Sequence, residues 1–140
     1  MQKTMRILSI CLLFIAMASC GKTEKVLVKQ DGIWNVDKLT SITSVNGGTP
    51  TTDSETNAGT ITFSEDGTGI IVYTAGGGDS FDWEVDGDII TITFLSLGMA
   101  IDYDINESSK NEQVWSGSYS YDILGMTYDV DQEITLGRLD

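Results

Sequence analysis

The sequence predicts an all-β fold: eight antiparallel strands that follow one another as an up-and-down meander and close into a barrel. Three observations carry this expectation. Apolar and polar residues alternate with period two in run after run. Gly, Asp and Asn clusters separate the runs at short intervals. No stretch of the mature domain shows helical periodicity. Alternation this regular means that one face is buried and the other wet. Eight strands can close on themselves and so lose their exposed edges.

The first strand is expected over residues 32–45, opening with Gly32-Ile33-Trp34 and ending at Val45. Asn46-Gly47-Gly48-Thr49-Pro50 and the polar residues to Asn57 read as a loop. The second strand, 59–64, carries Ile61 and Phe63 on one face, and Glu65-Asp66-Gly67 turns the chain. The third, 68–74, sets Ile71 and Tyr73 against Ile70 and Val72, and Gly76-Gly77-Gly78-Asp79 follows as a turn. In the fourth, 80–85, Phe81, Trp83 and Val85 oppose Asp82 and Glu84. Asp86-Gly87 is the strongest hairpin signal of the chain. The fifth strand, 88–95, places Ile90, Ile92 and Phe94 opposite Thr91 and Thr93. The sixth, 99–105, places Ile101, Tyr103 and Ile105 opposite Asp102 and Asp104. After the polar turn 106–111, the seventh strand, 112–121, has Trp115, Tyr119 and Tyr121 on one side and serines on the other. Leu124-Gly125 breaks it. The eighth, 127–137, carries Tyr128, Val130, Ile134 and Leu136 on one face and Asp129, Asp131, Glu133 and Thr135 on the other.

Ahead of the barrel the chain has the anatomy of a secretion signal. Lys3 and Arg6 precede an apolar run from Ile7 to Met17, too short for a permanent bilayer-spanning helix, which needs about 20 apolar residues. The run ends in Met17-Ala18-Ser19-Cys20, which resembles the bacterial lipobox. Residues 1–19 are therefore expected to be removed as a lipoprotein signal peptide. Cys20 is expected to take the lipid, with acyl chains such as palmitate holding the protein to the membrane at roughly 0.8 kcal/mol per buried CH₂. No aspartate follows Cys20, so the inner-membrane retention signal is absent and the outer membrane is the expected site. Residues 20–30 read as a lipidated tether and 31–140 as the barrel domain.

Composition narrows the function. Removing 19 of 140 residues leaves 121, enough for one domain with a core of its own. Of eight basic residues two leave with the signal, so six face 21 acidic ones. Phosphate binding needs basic groups, so nucleic acid is not an expected partner. The chain has no histidine, and its only cysteines are Cys11 and Cys20. This excludes histidine-dependent nucleophilic triads and a Cys/His zinc site, and leaves the barrel without a disulfide. A monomer is expected, with no enzymatic activity and no cofactor.

Four constellations invite sharper readings. Asp82, Glu84, Asp86 and Asp88 suggest a calcium loop, but position twelve, counted from Asp82, is Thr93 rather than the required glutamate. A hairpin with its acids in water accounts for them, and no metal site is expected. Gly76-Gly77-Gly78 lacks the lysine and the following helix of a phosphate loop. Among 21 acids no carboxylate pair stands out for glycoside hydrolysis. The aromatic residues Tyr73, Trp83, Trp115, Tyr103, Tyr119, Tyr121 and Tyr128 share faces with aliphatics. They either fill a small barrel or wall a pocket. Gln132, inward between Val130 and Ile134, favours a pocket, because an unpaired buried amide is costly unless water or a ligand satisfies it. Tyr73, Trp83, Tyr103, Tyr128 and Gln132 are the candidate ligand-binding residues. The expected function is the binding of a small apolar ligand; the alternative is a structural or protein-interaction lipoprotein with a filled barrel.

Gly32-x-Trp34 resembles the G-x-W signature of lipocalins and related calycins. The stretches Gly59-Thr60-Ile61-Thr62-Phe63-Ser64-Glu65-Asp66-Gly67-Thr68-Gly69 and Phe81–Ile92 resemble two hairpins of lipocalin-like lipoproteins from Bacteroidota. The resemblance covers most of residues 31–140 and implies a lipocalin-like barrel. It also implies that the G-x-W tryptophan packs under an arginine near the end of the last strand. In an up-and-down barrel the first and last strands are neighbours, which brings Trp34 and Arg138 together as a structural pair at one end.

Overall fold

The structure, a computed structural model, describes residues 22–139. The expected signal peptide and Cys20 lie outside the described residues. Eight strands form a closed barrel in sequential order: β1 Ile33–Val45, β2 Thr51–Phe63, β3 Thr68–Tyr73, β4 Gly78–Asp86, β5 Ile89–Phe94, β6 Met99–Ser108, β7 Glu112–Ile123 and β8 Met126–Arg138. Every neighbouring pair is antiparallel, and β8 returns to pair with β1 from Trp34↔Arg138 to Val45↔Tyr128. The all-β, eight-stranded, up-and-down barrel expected from the alternation is the architecture observed.

Two expectations need correction. Residues 51–57, read as loop, belong to β2, and only 46–50 remain as the connection. These residues pair with β1 from Thr43↔Thr51 to Lys38↔Thr56. All seven are exposed, so no burial pattern marked them, although threonine suits a strand. The N-terminal tether is also ordered from Lys22 onward. Lys22–Leu27 forms a short helix, α1, and Gln30–Gly32 a 3₁₀ turn that delivers the chain into β1. Leu27 is fully buried and joins the aromatic core cluster at the barrel end. Burial of such a side chain contributes about 2 kcal/mol. Gly32 has φ +68°, and a Cβ there would lie 2.0 Å from the Phe63 carbonyl oxygen, so glycine alone fits the junction.

Strand lengths make the barrel uneven. β1, β2 and β8 have 13 residues each and β7 has 12, whereas β3 and β5 have six. β2 pairs with β3 only over Gly59–Phe63, and the β6–β7 ladder stops at Tyr103↔Gly117. The four long strands therefore rise as a wall beyond the short ones. The barrel end with α1, the start of β1, the end of β8 and the β2–β3, β4–β5 and β6–β7 turns is closed; the opposite end, beneath the wall, is open.

A register shift between Val36 and Lys38 inserts one extra residue of β1 against β8. A one-residue offset moves side chains to the other face. Trp34 and Val36 point inward before it; Leu39 and Ser41, opposite Ile134 and Gln132, point inward after it.

Candidate functional site

The interior is graded from bottom to top. At the closed end Phe63 is the hub: Phe81, Trp83 and Trp115 meet it edge-on at centroid distances of 5.6, 5.3 and 5.9 Å. The offset ring geometry adds to the area these large side chains bury. Trp83 Nε1 donates to the Thr68 carbonyl at 2.9 Å, and Trp34 Nε1 to the Leu27 carbonyl at 3.0 Å, so neither indole nitrogen is orphaned. The Arg138 guanidinium covers the Trp34 ring. This half of the barrel is filled.

Above the aromatic floor lies an apolar chamber of about 60 Å³. Val36, Leu39, Ile61, Ile71, Ile92, Ile134 and Leu136 wall it, with Trp115 and Phe94 beneath and beside. A second recess, of about 270 Å³, opens at the mouth where β6 and β7 have parted; Met99, Ile101, Leu97, Tyr119, Asp79 and Ser96 line it. Tyr73, Phe94, Tyr103 and Gln132 line both, so the two spaces meet at these side chains.

The polar collar at this junction is internally satisfied. Tyr103, 2% exposed, donates its hydroxyl to Gln132 Oε1 at 2.7 Å, and Gln132 Nε2 donates to Ser41 Oγ at 3.3 Å. The expectation that Gln132 requires water or a ligand is thereby corrected: partners on β6 and β1 hold both ends of its amide. Gly117 makes this packing possible, since a Cβ there would come 2.7 Å from the Tyr103 ring. Burial, then the neighbouring phenols Tyr119 and Tyr73, push the Tyr103 hydroxyl far above the ordinary tyrosine value. Tyr119 is raised by burial, then by Tyr121 and Tyr73. Tyr73 is raised by burial and then by the Asp79 carboxylate. The phenols of Tyr73, Tyr103 and Tyr119 thus face one another across the neck as neutral groups.

Of the five candidate ligand-binding residues, Tyr73, Tyr103 and Gln132 line these spaces. Trp83 and Tyr128 line neither space. Trp83 belongs to the filled closed end. Tyr128 stands high on the wall, stacked on Tyr121 with centroids 5.0 Å apart and planes 3° from parallel. Both are on the inward register, but register gives the face and not the depth. Trp115, Phe94, Tyr119 and Asp79 complete the site. Trp115 and Tyr119 were visible as members of the alternating aromatic set; Asp79 lay in a turn that composition marked only as flexible.

No family model and no curated protein matches the chain. Among solved structures the chain is similar to a redesigned β-barrel, at 16% identity over 84% of this chain and 96% of that one, with a TM-score of 0.38.

Proposed function

We propose that this chain is a membrane-anchored, lipocalin-like lipoprotein of the bacterial outer membrane, held through Cys20, whose barrel binds a small ligand with an apolar body. The observation that carries the binding reading is the adjacency of two spaces: an apolar chamber and a half-polar mouth share Tyr73, Phe94, Tyr103 and Gln132 as lining. The mouth recess, at about 270 Å³, approaches the lower end of small-molecule sites, roughly 300 Å³. The chamber itself admits only a short apolar group. The ligand is therefore small, with its bulk in the mouth.

The anchor reading rests on Met17-Ala18-Ser19-Cys20 and on the closed end. Cys20 precedes α1 by two residues, and α1 packs beneath the barrel. A lipid at Cys20 leaves the mouth at the far end, facing away from the membrane.

Titration with a neutral, environment-sensitive apolar dye tests binding. One dye per chain is expected, with quenching of tryptophan emission from the nearby Trp115. Leu39→Trp, which adds bulk to the chamber wall, is expected to weaken binding while the β-sheet circular dichroism is retained. No binding at micromolar dye, or equal binding by the variant, would favour a filled barrel that works as an interaction surface.

A further inference from the structure

We propose that the mouth selects cationic amphiphiles, with an ammonium-type head held between the Tyr73 and Tyr119 rings beside Asp79 and a short apolar tail in the chamber. This deepens the binding reading above and rests on it.

Three independent features point to a cation. The first is aromatic. All five tyrosines of the protein lie on the inner side of the open half, whereas the three tryptophans are buried toward the closed end. Tyr119, Tyr121 and Tyr128 form a ladder, with Tyr119 and Tyr121 centroids 6.2 Å apart and Tyr121 and Tyr128 stacked. Tyr73 stands across the neck from Tyr119. Ring faces carry partial negative charge and attract alkylammonium groups, which are poorly hydrated and lose little on entering such a cage.

The second feature is a fixed carboxylate in the mouth. Asp79 Oδ1 accepts from the Ser80 amide at 2.8 Å, and Oδ2 accepts from the Ser96 hydroxyl. These neutral donors orient the carboxylate without cancelling its charge. The third feature is the charge layout of the whole chain. Residues 39–109 and 111–137 contain no Lys, Arg or His, so β2 to β7 and the four turns of the open end carry no base. Five of the six basic residues after Cys20 sit at or ahead of the closed end: Lys22, Lys25, Lys29, Lys110 and Arg138. Asp53, Asp122 and Asp129 on the tall wall add to the negative field over the mouth. A low-dielectric cleft lined by one sign of charge focuses that field on an entering ligand. An anionic amphiphile such as a fatty acid meets no basic group here and a carboxylate besides.

The test uses the full lipidated protein in neutral-lipid nanodiscs, with empty nanodiscs as the blank. Hexyltrimethylammonium, hexanol and hexyl sulfate share one tail and differ in head charge. Each competes against the neutral dye. The cation is expected to bind about tenfold more tightly than the alcohol, and the sulfate more weakly than either. The preference is expected to shrink on adding salt and to fall several-fold in Asp79→Asn and in Tyr119→Leu. Equal binding of cation and alcohol, or tighter binding of the sulfate, overturns the charge selection and leaves ligand binding standing. Failure of all three and of the dye overturns both.

Discussion

The Arg138 guanidinium lies 3.7 Å from the centroid of the Trp34 ring, the last strand of the barrel closing over the first. The same guanidinium donates from Nη1 to the Lys29 carbonyl and from Nη2 to the Val26 carbonyl, each at 2.8 Å, and from Nε to the Lys110 carbonyl at 3.2 Å. One side chain thus ties β8, β1, α1 and the β6–β7 turn together. Its planar fork matches carbonyls at different angles, which an ammonium cannot do. Arg138→Ala is expected to destabilise the fold by about 2 kcal/mol, from the lost ring contact and the lost charged hydrogen bonds. Arg138→Lys is expected to recover less than half of this. Urea denaturation gives the values; an alanine variant with the parent midpoint would defeat the account.

Leu27 is the other fastening of α1. Leu27→Ala is expected to cost about 2–4 kcal/mol if α1 remains docked, since the barrel end leaves little room for collapse. Loosening of α1 has its own signature. Trypsin is expected to cut after Lys25 and Lys29 faster in the variant, while the barrel stays resistant. Unchanged cleavage at both lysines would mean that Leu27 does not hold the helix.

The raised phenols make alkaline stability informative. The folded protein keeps protons on Tyr73, Tyr103 and Tyr119 that the unfolded chain releases at its ordinary value of 10.0. The folded state therefore binds more protons, and stability falls as pH rises. The contribution is intact below about pH 10 and drains away above it. Denaturation at rising pH is expected to show a flat plateau to about pH 9 and a steep decline past about pH 10, followed by tyrosinate absorbance. Tyr103→Phe loses about 1 kcal/mol at neutral pH, the Gln132 hydrogen bond, but has a shallower alkaline decline. Identical alkaline slopes in parent and variant would assign the decline to other groups.

Anchoring has a direct chemical readout. Cells supplied with labelled palmitate are expected to label the parent protein and not Cys20→Ala, and the variant is expected to leave the membrane fraction. Label retained by the variant would remove Cys20 as the acylation site.

Period-two alternation was enough, in the sequence, to place eight strands in order and, outside the first and third, to say which face turns inward. The physical reason is that each strand divides core from water on a one-residue step, so burial is written into the residue order. Closure then made the neighbourhood of Trp34 and Arg138 legible, because strand order alone sets which chain ends meet. Depth was not legible. Trp83, Tyr103 and Tyr128 share the inward register, yet one fills the closed end, one forms the neck and one stacks on the wall. Which of these an inward residue does depends on strand length and stagger. Residues 51–57 extend β2 with both faces in solvent, where no selection for alternation acts. The bulge after Val36 reverses the facing of β1, and one extra residue leaves no mark in composition. The amide of Gln132 finds its partners 29 and 91 residues away, on Tyr103 and Ser41. Only closure of the barrel brings those three side chains within hydrogen-bonding reach, and so only the tertiary structure could decide that the neck is a satisfied collar beneath an open, negatively charged mouth.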